Sequence, residues 1–189
     1  MRLRARNEII GRLLRLLPRS VVRRFVREQD GAAAIEFGLV AVPFLALTFA
    51  IMETALVFFS GQTLEAAAAA SARLIMTGQA QAAGFTATSF KQAVCNQIFG
   101  LFDCANGVFV DVKTYTSFAA INTTPPVTNG QLDSSNFTYQ PGGPGSIVVV
   151  SLYYKWPIYV SLLSDNLQNL SGNYRLLAAV NVFRNEPYQ

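Results

Sequence analysis

The sequence predicts a membrane-anchored α+β protein. A long N-terminal transmembrane helix extends out of the membrane, and a small domain with a short helix and an antiparallel sheet follows it. Three observations lead to this prediction. An apolar stretch with a single charge runs from Phe37 to Ser60, an alanine-rich segment follows it, and three stretches rich in β-branched and aromatic residues occupy the second half. A chain of 189 residues has room for the span and one domain of ordinary size.

The apolar stretch is long enough to cross a bilayer. As a helix, residues 37–59 would measure about 34 Å at ~1.5 Å per residue, against a hydrocarbon core of ~30 Å. We assign the transmembrane helix to residues 31–60. A cleaved secretory signal fits less well, because its apolar region is only about 7–15 residues long and ends at a small-residue cleavage site. We therefore expect a retained anchor.

Charge is segregated along the chain. Residues 1–30 hold nine arginines and three acidic residues, a net charge of +6, whereas residues 31–189 carry −2. Arginine-rich segments beside a span stay in the cytoplasm, so we expect residues 1–30 to be a basic cytoplasmic leader and residues 61–189 to form an external domain. Leucines and isoleucines separate the arginines, which is typical of an amphipathic helix on an anionic leaflet. This pattern favours membrane lipid over nucleic acid as the partner.

The helix is predicted to continue beyond the membrane over residues 32–77, a length of about 69 Å. Its end is predicted at Thr77-Gly78, since glycine readily adopts the left-handed conformation. The sequence leaves two roles open for the alanine-rich outer half: one face of the domain core, or a helix–helix assembly surface. The positions that recur at helical spacing there are Leu64, Ala68, Ser71, Leu74 and Ile75.

A short amphipathic helix is predicted over residues 89–99, with Ser89 and Gln92 as a capping box and Gly100 ending it. Strands are predicted over 108–116, 146–156 and 174–184, although the Leu-Leu-Ala-Ala centre of the last is also compatible with helix. The segment 117–145 is long for a loop, and is either an external functional loop or contains a short strand near 136–139. Residues 158–163 are a candidate short helical turn.

Nothing in the sequence points to catalysis. The chain has no histidine, which removes His-based triads and His metal sites. Two cysteines cannot form a four-thiolate zinc site alone, and the Gly142–Gly145 run precedes a strand, which is typical of a turn. We expect neither an enzyme nor a cofactor or metal site. Cys95 and Cys104, in a domain outside the membrane, are either bridged or two buried free thiols, and the external location favours the bridge.

Two carboxylates interrupt the apolar region. Glu36 and Glu53 are 17 residues apart and about 100° from a common helix face, so they are not expected to pair. For Glu53 we expect a snorkelling or protonated carboxyl near the outer interface. For Glu36 the preceding residues suggest a role.

The run Gly31-Ala32-Ala33-Ala34-Ile35-Glu36-Phe37 resembles a type IV prepilin peptidase site: a basic leader ending in glycine, small residues, a glutamate at the fifth position after the cut, an aromatic residue and a membrane helix. The wider pattern over about residues 20–80 is similar to the N-terminal signature of TadE-like proteins (the TadE/TadG family), minor pseudopilins of the tight-adherence (Flp) pilus assembly system. The segment Val182-Phe183-Arg184-Asn185-Glu186-Pro187-Tyr188 also resembles that family's ending in alphaproteobacteria.

The resemblance implies a single-pass protein of the bacterial inner membrane with a periplasmic domain that supports pilus biogenesis. Its implied partners are other pilins or pseudopilins, Tad assembly components and a prepilin peptidase. The peptidase would cut between Gly31 and Ala32, and Glu36 with Phe37 would form an assembly contact. One alternative stays open: an unprocessed single-pass envelope protein that binds a periplasmic partner.

Overall fold

The computed structural model describes residues 29–98, 100, 103–160 and 167–188. The chain divides into two compact units, Met1–Thr48 and Phe49–Gln189. The first helix, α1, spans Gln29–Met76 and contributes residues to both units. Its 48 residues correspond to about 72 Å. The predicted continuation of the helix far beyond the apolar stretch is confirmed.

In the first unit, α1 exposes its large apolar side chains, as lipid contact requires. Phe37 is 75% exposed and Leu39 76% exposed. Pro43 lies inside the helix, where it lacks the N–H that would bond the preceding turn. The Thr48 hydroxyl donates to the Phe44 carbonyl at 2.8 Å, so this polar side chain is satisfied within the helix. Each feature is compatible with an apolar surrounding.

The second unit is α+β, as predicted. After α1 come the helices α2 (Gln79–Ala82), α3 (Ala87–Cys95) and α4 (Cys104–Gly107) and a 3₁₀ turn (Phe118–Ala120). The strands are β1 (Val108–Tyr115), β2 (Val127–Thr128), β3 (Gln131–Leu132), β4 (Ile147–Pro157) and β5 (Tyr174–Arg184).

The main sheet is antiparallel, in the order β1-β4-β5. Val112 pairs with Val150 on one side of β4, and Val150 pairs with Asn181 on the other. Because β4 is central, both its edges are hydrogen-bonded and most of its side chains are buried, which suits its β-branched and aromatic composition. The three predicted strands are confirmed to within one residue at each end, and β5 is strand throughout.

The outer half of α1 packs on one face of this sheet. Its buried residues recur every three or four positions, with two adjacent pairs, so they form one stripe along the helix. The opposite sheet face is covered by a smaller cluster that includes Leu132, Tyr153 and Leu176. The alanine-rich segment is therefore part of the domain core. The α1 stripe consists of Glu53, Val57, Ser60, Leu64, Ala67, Ala68, Ser71, Ala72 and Ile75.

The bounds predicted for the short helix were wrong at both ends. Helix α3 starts at Ala87 and its N-cap is Thr86, whose hydroxyl accepts from the Ser89 N–H while the Ser89 hydroxyl accepts from the Thr86 N–H. Ser89 is thus the N3 residue of the capping box rather than the N-cap. The helix ends at Cys95, well before Gly100, because the following turns tighten to i→i−3 bonds, as in Ile98 N–H to Cys95 C=O.

The long segment 117–145 contains structure that was only partly predicted. Strands β2 and β3 form a hairpin around Asn129-Gly130, both with positive φ (53° and 72°), as a two-residue type I′ turn requires. Near 136–139, Tyr139 forms a single parallel bridge with Val112, so the short strand expected there is reduced to one residue. Of the turn predicted at 158–163, residues 158–160 are not helical and 161–163 lie outside the described residues.

Residues 185–188 close the end of α1. The Glu186 N–H donates to the carbonyl of Met76, the last helical residue, at 2.9 Å. Gly78 has φ +76°, which confirms the predicted left-handed helix end, and a Cβ there would overlap the Tyr188 ring. The buried Asn185 amide donates to the carbonyls of Pro141 and Gly143. Residues 185–188 therefore connect the end of α1 to the Gly142–Gly145 turn through hydrogen bonds.

Because the Tyr188 ring lies against Gly78, substitution of Gly78 should destabilise the domain more than substitution of Gly84. Gly84 also has positive φ (+62°), but a Cβ there would meet nothing within 4 Å. We expect Gly84→Ala to lower the free energy of unfolding by about 1–2 kcal/mol through backbone strain, and Gly78→Ala by about a further 1–3 kcal/mol through overpacking. Urea unfolding in detergent micelles, followed by fluorescence of the single tryptophan, Trp156, measures both. Equal losses would contradict the Tyr188 contact.

Candidate membrane anchor and assembly site

Helix α1 has the length and composition of a membrane span. The candidate segment Ala33–Met76 contains a window with a mean hydropathy of 2.1, and none of that window is buried. Its position near the N-terminus and its unpartnered apolar surface indicate a single-pass membrane anchor.

The predicted processing and assembly residues lie in the first two turns of α1. Gly31 is exposed and helical, and Ala32 follows it in the same helix. Glu36 and Phe37 are both exposed, one turn further along. In a membrane, the exposed Glu36 carboxyl would face lipid or a neighbouring protein. The roles proposed for these four residues stay predictions.

Glu53 has a different environment, in which it contacts the backbone of a distant loop. Its side chain is only 6% exposed. The Tyr159 N–H donates to Oε1, and the Val160 N–H donates to Oε2 at 2.9 Å. Both donors lie just after β4, far from Glu53 in sequence. The two carboxylate oxygens therefore bind two successive backbone amides.

Of the two alternatives expected for Glu53, the snorkelling carboxyl is wrong, since the side chain is buried and accepts two hydrogen bonds, and the protonated carboxyl stays a prediction. Bonds from N–H groups to a carboxylate are roughly twice as strong as neutral ones, which offsets much of the desolvation cost. Sequence reasoning missed this contact because its partners are main-chain groups, which leave no residue-type signal. The available hint was the position of Glu53 on the same helical stripe as Val57, Ser60 and Leu64.

The predicted disulfide is present. Cys95, the last residue of α3, is bonded to Cys104, the first residue of α4, with a Cα–Cα distance of 5.6 Å. The Lys91 ammonium donates to the Ala105 carbonyl at 2.7 Å across the same junction. In the chain-entropy estimate a bridge this short contributes about 2–3 kcal/mol. The bridge fixes the start of β1 relative to α3.

The outer face of the sheet carries a shallow polar pocket of about 260 Å³ lined by Asp111, Lys113, Ser151 and Tyr153 among others. Asp111 is already satisfied there, because it accepts from Lys113 Nζ at 2.7 Å and from the Thr138 N–H at 2.9 Å. Burial raises the pKa of Tyr153, which keeps its phenol protonated. These contacts hold the 117–145 segment on the sheet, and the described residues contain no group of three or more potential metal ligands.

The comparisons with known proteins single out the anchor. Residues 31–73 match the family model described as TadE-like protein. No curated protein and no solved structure matches the chain significantly. The match begins at Gly31 and ends inside the stripe of α1 that packs on the domain, so it covers the apolar helix and most of its outer half.

The Glu53 contact predicts a stability effect that depends on the acceptor oxygens. We expect Glu53→Leu to lower the free energy of unfolding by about 2–4 kcal/mol, because two amides lose their acceptor. Glu53→Gln retains one carbonyl oxygen and should lose less. Glu65→Leu, at an exposed position of the same helix, is the control and should stay within about 0.5 kcal/mol. Urea unfolding in micelles measures all three, and a Glu53→Leu loss no larger than that of Glu65→Leu would contradict the contact.

Proposed function

We propose that this protein is a TadE-like minor pseudopilin that supports Flp-type pilus biogenesis, because residues 31–73 match the TadE-like family model. It does so through its transmembrane helix and its disulfide-bonded domain. The observation that carries the proposal is the family match, which begins at the same glycine that separates the basic leader from the apolar helix.

The proposed assembly step uses the first turns of α1. Cleavage of the Gly31–Ala32 bond would create a new ammonium group on Ala32, about one turn from Glu36. A charged residue at the bilayer centre costs roughly 2.5–3.5 kcal/mol even on the lenient insertion scale. The ammonium of one subunit and the Glu36 carboxylate of a neighbour would neutralise each other and set the axial register. The exposure of Glu36 and Phe37 in the single chain supports this role.

We place the domain in the periplasm and the leader in the cytoplasm of a bacterial inner membrane. The net charge of +6 on residues 1–30 supports this orientation, and the Cys95–Cys104 bridge supports an oxidising compartment for the domain. We propose no catalytic role, because a sequence without histidine and without a nucleophile–base set offers little for one.

One observation favours a second candidate, an unprocessed single-pass envelope protein that binds a periplasmic partner. The residues from Gln29 onward are helical, so the Gly31–Ala32 bond is helical in this structure. A peptidase would have to unwind the helix around this bond before it could cut. Glycine in a helix costs about 1 kcal/mol relative to alanine, which makes this unwinding easier at Gly31 than at a non-glycine position of α1.

Processing is tested at Gly31 with Gly38 as a matched control. Both glycines lie in α1, and a Cβ at either would meet nothing within 4 Å. We expect mass spectrometry of the protein from cells with an active prepilin peptidase to find an N-terminus at Ala32. Gly31→Leu should retain the leader, whereas Gly38→Leu should be cut normally. A wild-type chain that keeps Met1 in those cells would contradict processing and favour the second candidate.

Assembly is tested at Glu36. Removing one partner of a buried ion pair costs about 3–5 kcal/mol, so Glu36→Ala should reduce the number of pili per cell by more than about tenfold. Electron microscopy and surface adhesion measure the effect, with immunoblots to verify equal protein levels. Glu65→Ala, an exposed carboxylate further along α1, is the control and should leave piliation unchanged. Normal pili in Glu36→Ala would argue against the assembly contact.

A further inference from the structure

The exposed side of α1 changes from apolar to polar at a defined level within the second unit. Its exposed large side chains are 45–66% accessible and entirely apolar as far as Phe59; they are Ile51, Met52, Leu56, Phe58 and Phe59. The first exposed polar side chains that follow are Gln62 and Glu65. A helix in a bilayer makes this change where it leaves the lipid, so the apolar-to-polar boundary lies between Phe59 and Gln62.

The loop bound by Glu53 lies on the lipid side of that boundary. Glu53 precedes Phe59 by six residues, which is about 9 Å along the helix axis. The Tyr159 and Val160 N–H groups contact the Glu53 carboxylate, so this part of the loop is held at the level of Glu53. The headgroup layer of one leaflet is only about 5–8 Å thick. A loop about 9 Å below the boundary has crossed that layer and lies at its inner edge, where the headgroups meet the hydrocarbon.

Backbone that enters a bilayer must have its polar groups satisfied by the protein. The Ile158 N–H donates to the Asn173 carbonyl at 2.9 Å, and Glu53 accepts from the next two amides. Three successive N–H groups of the loop therefore need no water. This set of contacts is more than a water-exposed loop requires, and it is what a loop beside lipid requires.

The side chains of the loop differ in exposure. Ile158 is buried against the domain, whereas Tyr159 is 80% exposed. Tyrosine is enriched where membrane meets water, since its ring enters the apolar layer while its hydroxyl remains hydrated. We propose that the loop Ile158–Val160 lies in the headgroup layer of the outer leaflet, with Tyr159 in contact with lipid and Glu53 holding the loop at this depth. The partner is a lipid surface, continuous with the lipid around α1.

The inference rests on membrane insertion of α1 and on no step of pilus assembly. It assigns Glu53 a positioning role that is separate from any contact between subunits. The domain then has two attachments to the membrane, the helix itself and the loop after β4. The loop contact limits how far the domain can tilt relative to the membrane surface.

The test measures the depth of position 159 in nanodiscs of phosphatidylcholine and phosphatidylglycerol. Because the native cysteines are bridged, the full-length variants Tyr159→Cys, Leu47→Cys and Val127→Cys each offer one thiol for a fluorescent label. Leu47, in the apolar part of α1, reports membrane insertion. Val127, an exposed apolar residue of β2, is the matched control on the domain surface. Lipids with a spin label on the headgroup or on a shallow acyl carbon act as quenchers.

We expect the shallow quenchers to reduce fluorescence at position 159 by about twofold or more relative to position 127, as for an interfacial side chain. Adding Glu53→Ala should move the value at 159 toward that at 127, whereas Glu53→Gln should retain most of the quenching. Quenching at 47 with none at 159 would overturn the proposal and leave the anchor intact. Protection of 159 from aqueous iodide without lipid quenching would also overturn it, in favour of a protein contact.

Two further outcomes are decisive. Unchanged quenching at 159 in a folded Glu53→Ala variant would overturn the positioning role of Glu53, with Trp156 fluorescence as the measure of folding. Absence of quenching at all three positions would overturn the membrane anchor on which the inference depends.

Discussion

Helix α1 must suit two surroundings without interruption, and the rest of the structure depends on how it does so. Lipid requires apolar side chains on every free face of the helix and no unsatisfied backbone. A domain core requires a stripe of side chains that fits a sheet. In α1 the two requirements overlap between Glu53 and Phe59, where one face already packs on the domain while the other faces are still apolar and exposed. The hydrogen bonds from Tyr159 and Val160 to Glu53 lie at the membrane end of this overlap.

Small side chains form much of the α1 contribution to the domain core. Ala67, Ala68 and Ala72 belong to the same buried cluster as valines of β1 and β4, and alanine loses no side-chain entropy on burial. The disulfide and the Lys91–Ala105 bond then fix α3 and α4 at the end of β1. On the other side of the sheet, Asp111 binds the 117–145 segment through the Thr138 N–H. A small domain thus gains order from one disulfide and two side-chain to main-chain hydrogen bonds in addition to its apolar core.

Sequence reasoning succeeded where the hydrophobic pattern or a helix-ending glycine gave a clear signal. The apolar run and its alanine-rich continuation predicted α1. β-Branched and aromatic composition predicted β1, β4 and β5, although the centre of β5 was also compatible with helix. It failed where several weak signals competed. Thr86 and Ser89 both fit an N-cap, and only the structure shows that they act as a pair. The Asn129-Gly130 turn was a readable hairpin signal, but the strands beside it have two residues each and show no alternation. The partners of Glu53 were unpredictable, because main-chain donors brought close by tertiary structure have no local sequence pattern.

The hydrogen bond from Glu186 to Met76 has a consequence for the order in which the protein matures. Met76 ends α1, while Glu186 follows the last strand of the β1-β4-β5 sheet, so the helix end is completed only after β5 has paired with β4. During synthesis and export, α1 can settle in the membrane long before its outer turn has all its partners. Contacts so distant in sequence form late in folding, since a long loop must close first. A chain that ends before residue 185 would retain the anchor. The Met76 carbonyl would lack its Glu186 donor, and the Gly142–Gly145 turn would lack its hydrogen bonds with Asn185. Completion of the domain therefore depends on export of the chain at least as far as Glu186.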